Sequence, residues 1–121
     1  MTTGRPALRI GELAAATGVS ARSLRYYEQQ GLIASTRTPA GHRRYDARTV
    51  ETVVRVQELF AAGLCSAKIA QLLPCLQGPP ASRTPALLAD LVDQRNRLDS
   101  AERDIRRARD VLDEIIGSLA D

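Results

Sequence analysis

Cysteine and histidine are scarce in this chain: Cys65, Cys75 and His42 are the whole supply in 121 residues. Two thiols are too few for a disulfide framework, and with one imidazole they leave a thin set of metal ligands, so neither a metal nor another cofactor is expected. No nucleophile has a histidine-and-acid partner set and no glycine-rich phosphate cradle occurs, which excludes an enzyme reading. No apolar run reaches the about 18 residues of a membrane span, and the N-terminal MTTGRPALRI lacks the apolar core of a signal peptide. The expectation is a cytoplasmic protein with no membrane partner. A chain this short also has no room for a second, ligand-sized domain beside one compact reader.

Lysine is nearly absent too: of 17 basic residues only Lys68 is not arginine. A planar guanidinium fork suits phosphate and base-edge recognition, although a GC-rich genome produces the same bias. The net charge of +3 conceals an asymmetry. Residues 1–48 carry eight arginines against three acids, residues 49–80 balance, and residues 81–121 carry seven arginines against nine acids. The N-terminal end is therefore the candidate polyanion binder.

A helical pattern runs through Ile10, Leu13 and Ala14 and breaks at Thr17-Gly18-Val19. Ser20 stands where an N-cap belongs, Leu24, Tyr27 and Gln30 follow at helical spacing, and Gly31 ends the segment as a left-handed C-cap would. Two short helices about a glycine turn form a helix-turn-helix candidate, a pattern shared with ordinary helical hairpins. Thr36 to Tyr45 then gathers three arginines and His42 around Pro39 and Gly41, which reads as a basic hairpin, or wing. Asp46 is placed to cap a helix with Val50, Val53, Val54 and Phe60 inward and its end near Gly63. Ser66 is placed to cap another with Ile69, Leu72 and Leu73 inward, stopped by Pro74.

Gly78-Pro79-Pro80-Ala81-Ser82 reads as a stiff linker, and Thr84-Pro85 opens the last helix with proline at a favoured first-turn position. From Leu91 the pattern is a heptad. Leu91, Leu98, Ile105, Leu112 and Leu119 occupy one core position, and Gln94, Ala101, Ala108 and Ile115 the other. Residues 84–119 would span about 54 Å as a helix, longer than the rest of the chain can cover, so the apolar seam calls for a partner helix rather than a fold back onto its own domain. The expected dimer interface comprises Leu91, Leu98, Ala101, Ile105, Ala108, Leu112 and Ile115. No internal repeat and no low-complexity segment occurs.

The segments Ile10-Gly11-Glu12-Leu13-Ala14, Thr17-Gly18-Val19-Ser20, Leu24-Arg25-Tyr26-Tyr27-Glu28, Gly31-Leu32-Ile33, Gly41-His42-Arg43-Arg44-Tyr45 and Ala62-Gly63-Leu64 together resemble the MerR family of bacterial transcription regulators. The likeness covers about residues 8–76 by motif and the remainder by architecture. It implies a mainly α fold: a winged helix-turn-helix reader over 8–76 (helix-turn-helix about 10–30, wing about 35–45), a linker over 77–83, and a dimerisation helix over 84–119. It further implies a homodimer held by an antiparallel coiled coil, a direction the heptads alone do not give. Such dimers bind a pseudo-palindromic operator in an overlong promoter spacer and distort it so that RNA polymerase engages both promoter elements. That mechanism is one of DNA shape rather than chemistry.

Arg22 and Arg25 lie three apart on one face of the second helix with Tyr26 beside them. That face is expected in the major groove beyond Ser20 and Ser23, with Arg22 on base edges and Arg25, Tyr26 and Tyr27 on phosphate or sugar. Tyr27 reads equally as core packing. In the wing, Arg37, His42 and Arg43 match family positions beside the backbone, Arg44 is expected among the DNA-binding residues, and Gly41 permits the tight turn; His42 stands where the family often has tyrosine. Metal- and redox-sensing relatives carry cysteines at and after the dimer helix, whereas here Ser82 and Arg83 stand at that point and the chain stops at Ala120-Asp121. Cys65 is therefore read as a small turn residue and Cys75 as a packing residue, and the effector stays unassigned. Two other readings remain open: a thiol or metal sensor using both cysteines, and an architectural DNA-binding protein.

Overall fold

A computed structural model describes residues 7–78 and 83–121. The Pro79-Pro80-Ala81-Ser82 part of the expected linker lies outside the described residues. The chain divides into two compact units, at residue 82 on one side and 83 on the other, and is mainly helical. The first unit holds α1 (Ile10–Thr17), α2 (Ala21–Gln29), a hairpin of β1 (Thr36–Arg37) and β2 (Arg43–Arg44), α3 (Thr49–Ala61) and α4 (Ser66–Gln77). The second is α5 (Pro85–Ala120).

The turn between α1 and α2 has the chemistry its sequence announces. Gly18 takes φ 73°, a conformation that a Cβ resists, and its N–H closes α1 on the Ala14 carbonyl at 2.8 Å. The Ser20 hydroxyl accepts from the Ser23 N–H at 3.1 Å, meeting one of the donors that the first turn of α2 would leave unpaired. Gly31, at φ 76°, lets the chain leave α2 and sends Leu32 and Ile33 inward.

One apolar cluster joins all these elements: Leu13 of α1, Val19 of the turn, Leu24 and Tyr27 of α2, Leu32 and Ile33, Tyr45, Val53 and Val56 of α3, and Ile69 and Leu73 of α4. The N-terminal segment enters as well, since Leu8 and Tyr45 exchange both backbone hydrogen bonds, at 2.7 and 2.8 Å. This bridge makes a third strand-like edge beside the hairpin, which periodicity over so few residues could not reveal.

Four local expectations need correction. Asp46 does not stand at the N-cap of α3: its Oδ1 accepts from the Arg48 N–H at 2.7 Å and its carbonyl from the Thr49 N–H at 2.9 Å, so it closes the turn that leads into the helix. Val54 is 44% exposed, because the inward stripe runs through Thr49, Val53 and Val56. Ser66 is the first residue of α4 rather than its cap, a place held by Cys65, and the helix passes Pro74 to end at Gln77. Proline there deletes only the bond to the Ala70 carbonyl, while buried Leu72, Leu73 and Cys75 anchor the last turn and the Gln77 amide donates to the Thr52 hydroxyl at 3.2 Å.

In α5 the Thr84 hydroxyl accepts from the Leu87 N–H at 3.2 Å and Pro85 fills the first turn, so the helix begins as its sequence indicates. None of its residues is buried.

Leu24→Ala removes a fully buried side chain from the centre of the reader and should cost about 2–5 kcal/mol, whereas Val54→Ala should stay within about 0.5 kcal/mol. Urea unfolding midpoints of the two variants would test whether Leu24 of α2 fills the core while Val54 of α3 stays outside it.

Candidate nucleic-acid interface

The basic residues of the reader gather where α2 and the hairpin meet. Arg9, Ile10, Arg25, His42, Arg43 and Arg44 line one shallow depression of about 350 Å³, so α2, the hairpin and the residue before α1 present their guanidinium groups on one surface. Arg25, Arg43 and His42 are exposed and Arg44 is half-buried. Further toward the start of α2, exposed Arg22 stands three residues before Arg25 and four before Tyr26, positions that share one side of a helix. Tyr26 is 46% exposed. Ser20 and Ser23 bond to each other, side chain to side chain, at 3.1 Å.

Tyr27 goes the other way. Its ring is buried, stacks on Phe60 with centroids 5.7 Å apart, and meets Tyr26 edge-on at 6.4 Å. Burial raises its hydroxyl pKa. Of the two readings of Tyr27, its ring is committed to packing, and it backs Tyr26 from beneath.

The hairpin is short, and side chains hold its shape. Thr38 and His42 close the turn through the Thr38 N–H to the His42 carbonyl, 2.8 Å, and the His42 N–H to the Thr38 hydroxyl, 3.1 Å. Gly41 sits at φ 87° with open space around it, so conformation rather than room requires glycine there. Arg37 donates to the Gly41 carbonyl at 2.8 Å and Arg44 to the Arg43 carbonyl at 2.9 Å.

Glu28 joins the two halves, a part that the sequence reading left without a role. From α2 its carboxylate accepts from the Tyr45 hydroxyl at 2.7 Å and from the Ser35 hydroxyl at 3.0 Å, and it pairs with Arg43 at 3.8 Å. Burial pushes this carboxyl up, but the Tyr45 and Ser35 hydrogen bonds and the charges of Arg43 and Arg37 outweigh it, and the net shift is downward. The same contact drives Tyr45, fully buried, to about 12, through burial first and then its bond to Glu28. One signal in the sequence pointed here: Glu28 is one of three acids among the first 48 residues, set inside a basic segment. Arg9 was missed likewise, because it precedes the first helical pattern. Its N–H donates to Glu12 Oε1 at 2.9 Å, which fixes the start of α1 and brings Arg9 to the basic surface.

Cys65 is exposed at the turn between α3 and α4, and Cys75 is buried with its Sγ 3.5 Å from the Gln71 carbonyl oxygen. Among the described residues no cluster of three histidine, cysteine or acidic side chains could hold a metal ion, and no helix is long and apolar enough to cross a membrane.

Residues 8–75 match the MerR HTH family of regulatory proteins. The chain belongs to the MerR family. The matched model is that of a helix-turn-helix regulatory protein, and the match takes in α1, α2, the hairpin, α3 and most of α4. The Nodulation protein NolA of Bradyrhizobium sp. strain NC92 is 36% identical over 121 residues, covering 99% of this chain and 46% of that protein. A MerR family transcriptional regulator from Bacillus cereus superposes with a TM-score of 0.68 at 27% identity, over 90% of this chain and 79% of its own. HiNmlR, a MerR family regulator lacking the sensor domain and solved bound to promoter DNA, has the same fold, with a TM-score of 0.68 at 21% identity over 93% and 89% of the two chains. The chain spans less than half the length of the nodulation proteins it matches.

Glu28 makes the reader sensitive to acid. Its folded pKa lies below the ordinary 4.5, so the stability it contributes is present above that value and is lost as pH falls through the folded one. Glu28→Gln should flatten this acid dependence, and Tyr45→Phe should cost about 1.5–3 kcal/mol near neutral pH. Chemical unfolding at pH 7, 4 and 3 measures both; an unchanged acid slope in Glu28→Gln would assign the dependence to other carboxylates.

Proposed function

We propose that this regulator acts as a homodimer on a pseudo-palindromic operator inside a promoter spacer, where it distorts the duplex to control access by RNA polymerase. The observation that carries this reading is the joining of α2 and the hairpin, through Glu28 and Tyr45, into one basic surface. A helix and a wing held rigidly together touch two stretches of backbone at once, and a duplex that bends to meet both gains contacts that offset the few kcal/mol of deformation.

In this reading Arg22 enters the major groove and contacts base edges, with Ser20 and Ser23 at the helix start. Arg25 and Tyr26 donate to phosphate, and His42, Arg43 and Arg44 hold the neighbouring backbone. Tyr27 braces Tyr26, and Arg37 and Gly41 shape the wing tip. Arg9 joins the phosphate contacts through its place on the same surface. The apolar face of α5 supplies the dimer that a two-fold operator requires. HiNmlR, which shares the fold, was solved bound to promoter DNA, and this supports DNA as the partner of the basic surface.

Footprinting the purified protein on its own fragmented genome, with and without zinc and reducing agent, tests the reading. A few strong palindromic sites between promoter elements are expected, unaffected by Cys65→Ser with Cys75→Ser; diffuse occupancy would instead establish the architectural alternative, and sites lost on oxidation or zinc addition the sensor. On a purified operator, Arg25→Ala and Arg43→Ala should weaken binding about uniformly across sequences and reduce the salt slope by about one each, whereas Arg22→Ala should relax sequence preference and cost about 1–3 kcal/mol.

A further inference from the structure

A second depression, of about 640 Å³, opens between the loop after α2, the end of β2, and the helices α3 and α4. Its volume falls within the about 300–1,000 Å³ of small-molecule sites. Leu32 and Ile33 supply an apolar part, and Arg44, Asp46, Thr49 and Gln77 supply polar groups. Extended backbone explains why two opposite charges meet here. Arg44 closes β2 and Tyr45 pairs with Leu8, so side chains alternate. Tyr45 turns into the core, while Arg44 and Asp46 turn to the depression, about 6.6 Å apart along the chain.

The polar groups keep unused bonding capacity. Among the described residues no ion pair joins Arg44 or Asp46 to each other or to another side chain. Arg44 gives one guanidinium N–H to the Arg43 carbonyl, and Asp46 takes the Arg48 N–H on Oδ1, which leaves its Oδ2 open. Thr49 is only 9% exposed, yet its hydroxyl has no hydrogen-bond partner among the described residues. The Gln77 amide donates to the Thr52 hydroxyl, so its oxygen remains open to a donor.

We propose that this depression binds a small zwitterion of the α-amino acid type, with its carboxylate on Arg44, its ammonium on Asp46 and its side chain against Leu32 and Ile33. The charges select this class. A simple anion would stand beside Asp46 and a simple cation beside Arg44, while an apolar compound would cover both charges and pair with neither, which is costly. A molecule that carries both signs a few bonds apart pairs with each. Its ammonium has three N–H donors, and Asp46, the Thr49 hydroxyl and the Gln77 amide oxygen are three acceptors around the same depression.

Arg44 gives this site a consequence for DNA, because it also lines the basic depression beside Arg25, His42 and Arg43. A carboxylate that engages Arg44 in the one depression withdraws positive charge from the other. The amino acid and a duplex then compete for one guanidinium, and each weakens the binding of the other by the same factor. This competition rests on the DNA reading above; the zwitterion site does not.

Thermal unfolding of the full chain in each of the twenty standard L-amino acids, at about 10 mM, finds the side chain that fits. At least one should raise the midpoint, with a Kd on the order of 0.1–1 mM, as suits an open site. Isothermal titration with that amino acid, its amide and its desamino acid then separates the charges, and loss of either should weaken binding at least about tenfold. Asp46→Asn keeps an acceptor for the Arg48 N–H; it should weaken amino acid binding about tenfold and leave affinity for a mixed-sequence DNA duplex within about threefold of the parent. In the parent chain, saturating amino acid should weaken duplex binding by about threefold to tenfold. An amide or desamino acid that binds as well as the parent compound would overturn the zwitterion, and a panel without a binder would overturn the site, each leaving the operator reading intact. Duplex affinity unchanged by bound amino acid would overturn the competition at Arg44. A chain that binds an amino acid but no duplex and no genomic site would instead refute the DNA reading, with the zwitterion site upheld.

Discussion

One buried-edge carboxylate organises the reader. Glu28 sits on the helix that faces DNA in our reading, yet its side chain turns away from the expected groove to take the Tyr45 hydroxyl, the Ser35 hydroxyl and the side of Arg43. Tyr45 is fully buried, and its backbone is paired with Leu8 on its other side. A single acid thus connects α2, the loop after it, the hairpin and the N-terminal segment. The hairpin has only two residues in each strand, too few to hold a position unaided. A neutral side chain at residue 28 would remove the ion pair that orients Arg43 among neighbouring guanidinium groups.

Much of this was legible in the residues. The Ser20 cap, the left-handed Gly18 and Gly31, and the Thr84-Pro85 helix start are local devices, and local devices can be read from sequence because the atoms that satisfy each other are neighbours in the chain. The basic surface was legible in part. Arg25, His42, Arg43 and Arg44 were identified by motif and charge, but Arg9 is held beside them by the neighbouring Leu8–Tyr45 bridge as well as by its bond to Glu12, and the bridge joins segments far apart in sequence. Glu28 stayed hidden for the same reason: its partners lie seven to seventeen residues on, with no periodicity to announce them.

Where the sequence misled, tertiary packing had overruled a local preference. Pro74 is a helix breaker taken alone, yet Leu72, Leu73 and Cys75 have buried places to fill, and α4 continues past it. Val54 sits one residue after Val53 and looked equally suited to the core; the helix admits only one of two adjacent positions to a narrow stripe. Tyr27 was ambiguous because a tyrosine next to an apolar face satisfies either role until Phe60 is seen beneath it.

The bond from Arg37 to the Gly41 carbonyl bears on how quickly and how firmly the wing can act. A guanidinium hydrogen-bonded within its own hairpin gives up some rotational freedom before any partner arrives, and the bond spans the loop tip. Association then forfeits less disorder than a floppy basic loop would, so the tether works in the unbound protein as a down payment on affinity.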